Sequence, residues 1–380
     1  MEPIYFDHAA TTRVLPEAAQ AALRAMTEEY GNPSSLYALG TRAAKALADH
    51  REAVAQALGC QAGEVIFTSG GTEGDNWAIS LAAHLGRHRG KHIITTAVEH
   101  AAVLEPCKAL EAQGYQVTYL TPGPDGRVKV SDLEAALRPD TVLVSMMLVN
   151  NETGAIQPVK EAGQVLRRCR SQALLHTDAI QGFLKIPFTP KALGVDLLTV
   201  SGHKIGAMKG SGALYLRAGL RAVPLLRGGG QEKGLRSGTE PTPQIAALAA
   251  ACTLGKAALE DHQTYLTHLK TYALAAFQKA VPGLVVVAAG DAPHICAISL
   301  PGYPSQVVVR WLSDQGFCLS AGSACHRGQA SHVYAAMGLS KPVRDGMLRV
   351  SFGPENTQEE VDRLAQALGT ATQVLLPAGR

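Results

Sequence analysis

The chain has 380 residues, 46% of them hydrophobic and 18% charged, and its formal net charge is only +3. So much apolar material can bury a large core, which excludes an intrinsically disordered protein. Domains usually contain about 100–200 residues, so the length predicts two lobes that share one site. The basic residues are scattered rather than gathered in a stripe, and no nucleic-acid partner is expected.

The N-terminus lacks the basic and apolar regions of a signal peptide, and no apolar run approaches the ~18–20 residues that a membrane helix needs. We therefore expect a cytoplasmic protein without a membrane partner. The seven cysteines are widely spaced, odd in number, and include no C-x-x-C pair. This pattern argues against a disulfide framework and against a zinc site, so no metal ligand is predicted.

Short β-branched segments alternate with segments of helical composition from residue 45 to about residue 220. The predicted strands are 65–67, 92–96, 117–120, 141–148, 174–177, 197–201 and 213–216, and the predicted helices include 77–88, 101–113 and 159–170. Such alternation predicts an α/β fold with a mostly parallel central sheet and right-handed crossovers. A glycine-rich stretch at 227–238 and a long predicted helix at about 242–280 lead into a second lobe, whose strands and helices occupy 284–370.

Polar residues follow five of the predicted strands. They are 69–72, 99–100, 150–151, 178–181 and 201–204. Ligands of parallel α/β sheets bind at the carboxyl ends of the strands, so these five clusters are expected to line one site.

The first cluster, Ser69-Gly-Gly-Thr72, joins a strand to the start of a helix. Its glycines allow close approach of an anion, and the free N–H groups of the helix start would point at it. The alternative is a tight turn in which Thr72 caps the helix. No G-x-x-x-x-G-K-[ST] motif is present, so the cluster is not a nucleotide P-loop.

Lys204 and Asp178 follow two different apolar strands. A lysine beside a buried strand can be desolvated, which frees its amine for Schiff-base chemistry. Pyridoxal phosphate (PLP) needs such a lysine together with a carboxylate that keeps the pyridine nitrogen protonated. His100, after a third strand, is placed to stack on the cofactor ring and to move protons. The alternative for Lys204 alone is a lysine that reaches solvent.

Cys325 lies in a small, polar, glycine-containing segment beside His326 and Arg327. Exposure and neighbouring positive charge favour a reactive thiolate, and the alternative is a tolerated surface cysteine. Arg349 stands in a strand-like apolar run that would normally reject a charge. An arginine in such a place usually binds a carboxylate.

Taken together, these motifs resemble the cysteine desulfurases of the class V aminotransferase family over essentially the whole chain. The resemblance rests on residues 7–12, 31–34, 67–76, 99–100, 150–152, 176–181, 201–204, 236–239 and 322–325. It implies a PLP-dependent transferase of fold type I, with a large PLP-binding domain at 14–250. Residues 1–13 and 251–380 would form a smaller α+β domain that carries the cysteine loop, at about 318–332.

The resemblance also implies roles for individual residues. Lys204, Cys325 and His100 would be catalytic. The cofactor would be bound by Gly71, Thr72, His100, Asn151, Asp178, Gln181, Ser201, His203, Lys204 and Thr239. Thr239 would reach the phosphate of a neighbouring subunit, which implies a homodimer. The substrate carboxylate would be held by Asn32 and Arg349, with Asn151 near the substrate.

The implied reaction converts L-cysteine to L-alanine and leaves the sulfur on Cys325 as a persulfide. A sulfur-acceptor protein, either an iron–sulfur scaffold or a thiolation protein, would then receive it. The chain departs from the common family pattern after the cysteine, where His326 replaces a small hydroxyl residue and the loop is about two residues shorter. The Cys-His pair is similar to that of selenocysteine lyases, so selenocysteine lyase and direct C–S lyase are alternatives.

A second class of protein is also compatible with part of the sequence. A cofactor-free hydrolase would use Cys325 with a histidine, and it would need neither Lys204 nor Asp178. A catalytically silent, ligand-binding member of the family is a further alternative. The intact set of Lys204, Asp178, His100, Cys325 and Arg349 speaks against it.

Overall fold

The computed structural model describes residues 3–288, 290–322 and 331–377, which form thirteen helices and twelve strands. The strands are β1 (Ile4–Tyr5), β2 (Val65–Thr68), β3 (His92–Thr96), β4 (Gln116–Leu120), β5 (Thr141–Ser145), β6 (Leu174–Asp178), β7 (Leu197–Ser201), β8 (Gly212–Leu216), β9 (Val285–Val286), β10 (Ile295–Ser299), β11 (Phe317–Cys318) and β12 (Met347–Ser351). The helices are α1 (Pro16–Thr27), α2 (Ala38–Leu58), α3 (Gly71–Gly86), α4 (Ala101–Glu111), α5 (Val130–Ala136), α6 (Val159–Arg168), α7 (Pro190–Leu193), α8 (Thr242–Ala257), α9 (Leu259–Ala280), α10 (Ser305–Asp314), α11 (His332–Ala336), α12 (Lys341–Asp345) and α13 (Gln358–Val374).

The largest sheet has seven strands in the order β2-β8-β7-β6-β5-β3-β4. Strands β3, β4, β5, β6 and β7 run parallel to one another, and β8 runs antiparallel to both β7 and β2. Every residue of β3, β5, β6, β7 and β8 is buried, as expected for strands that helices cover on both faces. The predicted α/β fold with a mostly parallel central sheet is therefore confirmed.

Helix α3 lies unusually close to the sheet. A Cβ atom added at Gly74 would lie 2.5 Å from Cγ2 of Thr199 in β7, so only glycine permits this approach. Trp77 is 1% exposed, and its indole N–H donates to the carbonyl of Val223 at 3.0 Å. Together these contacts fix the N-terminus of α3 at the carboxyl end of the parallel strands.

A second core is built from the N-terminal strand and the C-terminal third of the chain. The antiparallel sheet β12-β10-β9 packs with α9, α10 and α13 around apolar side chains such as Phe277, Phe352 and Leu364. Strand β1 pairs in parallel with β11, and Phe6 is fully buried in this same core. The proposed domain boundaries stay a prediction.

Two elements differ from their sequence predictions. The long helix expected at 242–280 is two helices, α8 and α9, joined at Ala258, where φ is −97° and ψ is 3°. The strand expected at 141–148 ends at Ser145. Beyond it, the Met147 N–H donates to the Glu99 carboxylate at 2.8 Å instead of to a neighbouring strand. Within the residues that the structure describes, every helix is too short or too polar to cross a membrane.

Candidate active site

A cavity of about 270 Å³ opens at the carboxyl ends of the parallel strands, and we call it the Lys204 cavity. Its lining includes most of the predicted site residues: Gly71, Thr72, His100, Asn151, Asp178, Gln181, Ser201, His203, Lys204 and Arg349. These residues come from separate parts of the chain. Ligands of parallel sheets bind at strand ends, and the residues predicted from this rule do line one cavity.

Lys204 closes a short 3₁₀ turn directly after β7. Its ammonium donates to the carbonyls of Ala9 and Ala10, at 2.8 and 2.7 Å. The same N-terminal segment is tied to this turn a second time, because Thr12 N–H donates to the His203 carbonyl at 2.9 Å. Residues 9–12 thus hold the reactive amine in place, a role that no local sequence pattern indicated.

Asp178 is the last residue of β6 and is buried. Burial, and next the nearby Asp75 carboxylate, raises the pKa of Asp178 to about 8, against an ordinary value of 3.8. One of its oxygens accepts from the Ile180 N–H at 2.9 Å, and Lys204 partly offsets the shift. A carboxylate in this setting is stabilised as an anion by a cationic N–H group that enters the cavity.

Two further buried carboxyl groups, Asp75 and Glu99, lie near Asp178. The sequence placed Glu99 in one of the five polar clusters but gave it no role, and it did not single out Asp75. Burial raises the pKa of Asp75 to about 7, which the Thr199 hydroxyl partly offsets. Burial also raises the pKa of Glu99 well above its ordinary value, although the Met147 N–H and the Thr96 hydroxyl donate to it. One feature of the sequence could have pointed to both residues. Each is an acidic residue close to an apolar segment, where a carboxylate can become buried.

His100 caps helix α4. Its Nδ1 accepts from the Ala102 N–H at 3.1 Å. Because a backbone N–H can only donate, a neutral His100 ring carries its proton on Nε2. The ring that lines the cavity therefore has a fixed tautomer.

The other end of the cavity is made by the N-terminus of α3, a helix of 16 residues. A Cβ atom added at Gly71 would lie 2.1 Å from Cδ1 of Ile180, so glycine is needed for this approach. Thr72, Ser201 and His203 surround the helix start. The pKa of His203 is lowered to about 4 by burial and by the nearby Lys204 and Lys209 ammonium groups, so its ring is neutral near pH 7. Free N–H groups and hydroxyls suit an anion such as phosphate.

Arg349, in β12, is 1% exposed and crosses into the cavity from the second core. Its guanidinium donates to the Asn151 carbonyl at 2.8 Å, to Asp7 Oδ1 at 2.8 Å and to the Ser320 hydroxyl at 3.2 Å. The Nε atom of Arg349 is buried and has no hydrogen-bond partner in the described part of the chain. Asp7 thus fixes an arginine that retains a donor for an anionic group.

Gln181 is held in one orientation by its neighbours. Its side-chain amide donates to the Ala9 carbonyl at 2.9 Å, and its carbonyl oxygen lies 3.4 Å from Nε2 of His294. His294 is 1% exposed, and burial and nearby cations lower its pKa well below the ordinary value. A neutral His294 that donates to the Gln181 carbonyl oxygen leaves the amide N–H group directed at the Ala9 carbonyl.

The sequence profile of the aminotransferase class-V family matches residues 4–364. The chain belongs to the aminotransferase class-V family. A curated relative, cysteine desulfurase IscS of Methanosarcina thermophila, is 40% identical over 98% of this chain and 92% of its own length. Among solved structures, a NifS-like protein is 34% identical with a TM-score of 0.93, covering 98% of this chain and 100% of that one. The structure of SspA in complex with cysteine is 33% identical with a TM-score of 0.80, covering 93% and 100%.

The cavity suits the PLP cofactor that the family implies. The buried acid Asp178 is available for a protonated ring nitrogen, and the amine of Lys204 for an aldehyde carbon. The N-terminus of α3, with Thr72 and Ser201, is suited to the phosphate. His100 and Gln181 supply polar groups along the ring. No group of three residues that could hold a metal occurs among the described residues.

Two predicted site residues, Asn32 and Thr239, are not among the described residues that line the cavity of this class-V chain. Asn32 is exposed, and its Oδ1 accepts from the Ser34 N–H at 2.9 Å. Thr239 is exposed too, in a loop that the Arg236–Glu73 ion pair (2.9 Å) anchors beside the first turn of α3. Cys325 lies outside the described residues. The roles of all three stay predictions.

The described ends of the cysteine segment both lie near Glu152. The Ser331 hydroxyl donates to Glu152 at 2.6 Å, and a Cβ atom added at Gly322 would lie 3.2 Å from the same carboxylate. Ser320, two residues before Gly322, bonds to Arg349. The chain therefore enters and leaves this segment beside the wall that Arg349 contributes to the cavity.

Proposed function

We propose that this chain is a PLP-dependent cysteine desulfurase. It converts L-cysteine to L-alanine and transfers the sulfur to Cys325: the substrate C–S bond breaks, an S–S bond forms, and the thiol becomes a persulfide. The thiol hydrogen and the substrate's own hydrogens complete the balance, so no external oxidant or reductant is required.

The observation that carries the proposal is the joint presence of Lys204, Asp178 and the N-terminus of α3 at one cavity. Relatives that are 37–42% identical over at least 96% of the chain are named cysteine desulfurases, which supports this reaction above others of the family. A hydrolase without cofactor gives no reason for a buried Asp178 beside a lysine amine. We therefore do not favour that alternative.

In the proposed reaction, Arg349 binds the substrate carboxylate. Its remaining buried donor, Nε, is unpartnered within the described residues, and Asp7 and Ser320 hold the guanidinium still. Charge-assisted hydrogen bonds of this kind combine affinity with orientation. The substrate is thereby placed with its α-carbon toward Lys204.

Protons are moved by Lys204 and His100. The Lys204 amine takes the α-proton of the substrate, and His100 donates from Nε2, since its Nδ1 is occupied by the Ala102 N–H. When bound, PLP supplies an electron sink for the pair left by that proton. Asp178 would support this sink by holding a proton on the ring nitrogen, and Gln181, which lines the same cavity, would be available to the phenolic oxygen.

Cys325 stands three residues after Gly322 in the sequence and is proposed as the nucleophile that receives the sulfur. His326 and Arg327 supply neighbouring donors and positive charge that favour its thiolate. The persulfide is then passed to an acceptor protein, which we propose to be an iron–sulfur scaffold or a thiolation protein.

We further propose that the enzyme is a homodimer in which Thr239 reaches the partner's cofactor phosphate. Several large apolar side chains of α1 and the segment after it are exposed, including Leu36 at 98% and Tyr30 at 67%. Exposed apolar groups of this kind are typical of surfaces that a partner covers. The cytoplasmic location stays a prediction.

The decisive experiment combines spectroscopy with product analysis. We expect purified enzyme to be yellow, and addition of L-cysteine to yield alanine and one persulfide per chain in the first turnover. Cys325→Ala should abolish the persulfide and reduce alanine formation by at least about 100-fold. Cys318→Ala, a matched control at a cysteine of strand β11, should do neither.

Other outcomes separate the alternatives. Undiminished cysteine turnover by Cys325→Ala would indicate a direct C–S lyase. A strong preference for selenocysteine in side-by-side assays would indicate a selenocysteine lyase. A colourless protein whose activity is independent of Lys204 would contradict the proposal altogether.

A further inference from the structure

A second cavity, of about 310 Å³, lies between the two cores, and we call it the Lys185 cavity. Four parts of the chain line it: the N-terminal segment 8–17, residues 184–206, the α8–α9 junction and the turn at 354–355. Residues 8–13 also run along the Lys204 cavity, where Ala9 and Ala10 form part of the wall. The Lys185 cavity shares no lining residue with the Lys204 cavity and has no part in the proposed reaction.

The floor of the Lys185 cavity is apolar. Leu184, Ile205 and Leu266 are buried there, and Leu15 and Leu254 complete the walls. Such a surface binds an aliphatic group through the hydrophobic effect. It is poorly suited to a sugar or a nucleotide, which would need many polar partners.

Lys185 contributes an ammonium group to the lining of this cavity. The ammonium of Lys185 forms no hydrogen bond or ion pair within the part of the chain that the structure describes. Burial lowers the pKa of Lys185, and the Glu355 carboxylate, which lines the same cavity, opposes this shift. A partly buried ammonium gains most from an anion that enters the cavity.

The backbone at this point is strained. Leu184, the residue before Lys185, has φ of +56°, in the left-handed region that leucine seldom adopts. Helix α8 lies directly against it, because a Cβ atom added at Gly255 would meet Leu184 Cδ1 at 2.8 Å. Strain of this kind persists where surrounding contacts enforce it, and it sets the direction in which Lys185 leaves the chain.

The other polar residues that line the cavity are His8, Thr12, Arg13, Glu17, His262, Gln263 and Glu355. Arg13, Glu17 and Glu355 are exposed. The His8 ring lies deeper, with Nε2 at 3.2 Å from the Tyr5 carbonyl and 3.7 Å from Glu355. The exposed lining residues therefore carry both signs of charge, whereas the half-buried Lys185 carries a positive charge.

We propose that the Lys185 cavity binds a small aliphatic monocarboxylate, with the carboxylate on the Lys185 ammonium and the chain against Leu184, Ile205 and Leu266. A phosphate ester is disfavoured, because its second charge would find one lysine and an apolar floor. The ligand contacts both cores at once, so its binding stabilises their relative placement.

Titration calorimetry of the purified, PLP-saturated enzyme with sodium hexanoate tests this proposal. We expect saturable binding with Kd of about 1 mM or tighter, and binding of hexan-1-ol at least about tenfold weaker, since the alcohol lacks the charge. Lys185→Met keeps most of the length of the unbranched side chain and removes its charge. It should weaken hexanoate at least about tenfold and leave hexan-1-ol unchanged.

A second variant, Leu254→Trp, fills the cavity from its partly exposed edge and should abolish binding of both compounds. Circular dichroism and the cofactor absorption band establish that each variant is folded. Absence of saturable hexanoate binding to the wild type overturns the proposal. So does an unchanged hexanoate affinity in Lys185→Met, which would place the carboxylate elsewhere, for example on Arg349.

Discussion

The two cavities share the N-terminal segment as a wall but are built in different ways. The Lys204 cavity is lined mainly by residues that directly follow strands of one sheet, and each stands in a short polar cluster. The Lys185 cavity is lined by single residues from both cores, with little local pattern. A site at a sheet edge can be recognised in the sequence, because its residues lie in short contiguous motifs. A site between two cores has no such motifs, because long-range packing alone brings its residues together.

The largest expected effect separates the two cavities. Lys204→Ala should lower cysteine turnover by at least about 1000-fold and remove the cofactor absorption band, because the amine that binds the aldehyde and moves the proton is lost. Hexanoate affinity should stay within about threefold of wild type, as expected for independent sites. Lys191→Ala, an exposed lysine, is the control. A large loss of hexanoate binding in Lys204→Ala would show that the two cavities are coupled.

Asp7→Asn should have an effect of intermediate size. It should change cysteine turnover at the Lys204 cavity and leave hexanoate binding at the Lys185 cavity unchanged. The carboxylate that fixes Arg349 at 2.8 Å becomes a neutral amide of the same size, so the guanidinium is held less firmly. We expect KM for L-cysteine to rise about tenfold with a smaller change in kcat. Steady-state kinetics check this, with Asp125→Asn as a surface control. A change in kcat alone would mean that Arg349 does not bind the ground-state substrate.

The smallest effect concerns the stability of the cofactor-free enzyme. The pKa of Asp178 is about 8 in the fold against an ordinary value of 3.8, so the folded state holds this proton more tightly than the unfolded state. Its contribution to stability is therefore lost progressively as pH rises from about 4 to about 8. Asp178→Asn, which cannot ionise, should match wild type near pH 4 and melt about 2 °C or more above it at pH 8.

Thermal unfolding monitored by circular dichroism at several pH values measures this difference. Part of the pH dependence should remain in Asp178→Asn, because Asp75, with a pKa of about 7, titrates in the same window. A difference in melting temperature between Asp178→Asn and wild type that stayed constant across this pH range would contradict a raised pKa for Asp178. With PLP bound, wild type should melt at a higher temperature than Asp178→Asn at pH 8, since the ionised Asp178 then gains a cationic partner.

Much of the fold and part of the site could be predicted from the sequence because they depend on local patterns. The parallel strands were recognisable as buried β-branched segments, and Lys204, Asp178 and His100 stand where such strands end. The contacts that hold them were not predictable. Asp7 and Arg349 are 342 positions apart, and Ala9 and Lys204 are 195 apart. No periodicity or motif links positions at such separation in a single sequence.

Other differences arise where tertiary contacts override local preference. The helix expected at 242–280 has helical composition throughout, yet it breaks at Ala258 where the chain passes from one core to the other. Asp75 looks like an ordinary polar position of α3. It is buried because the helix approaches the sheet so closely at Gly74.

The pairing of β1 with β11 also determines when this enzyme can begin to work during its synthesis. Phe317 is added 312 residues after Tyr5, which at about 5–20 residues per second takes about 15–60 s on the ribosome. Until then the first strand has no neighbour in its sheet, and the segment that holds Lys204 lacks the support of that pairing. A translation product that stops early therefore lacks the completed active centre, and only the nearly finished polypeptide gains the ability to mobilise sulfur.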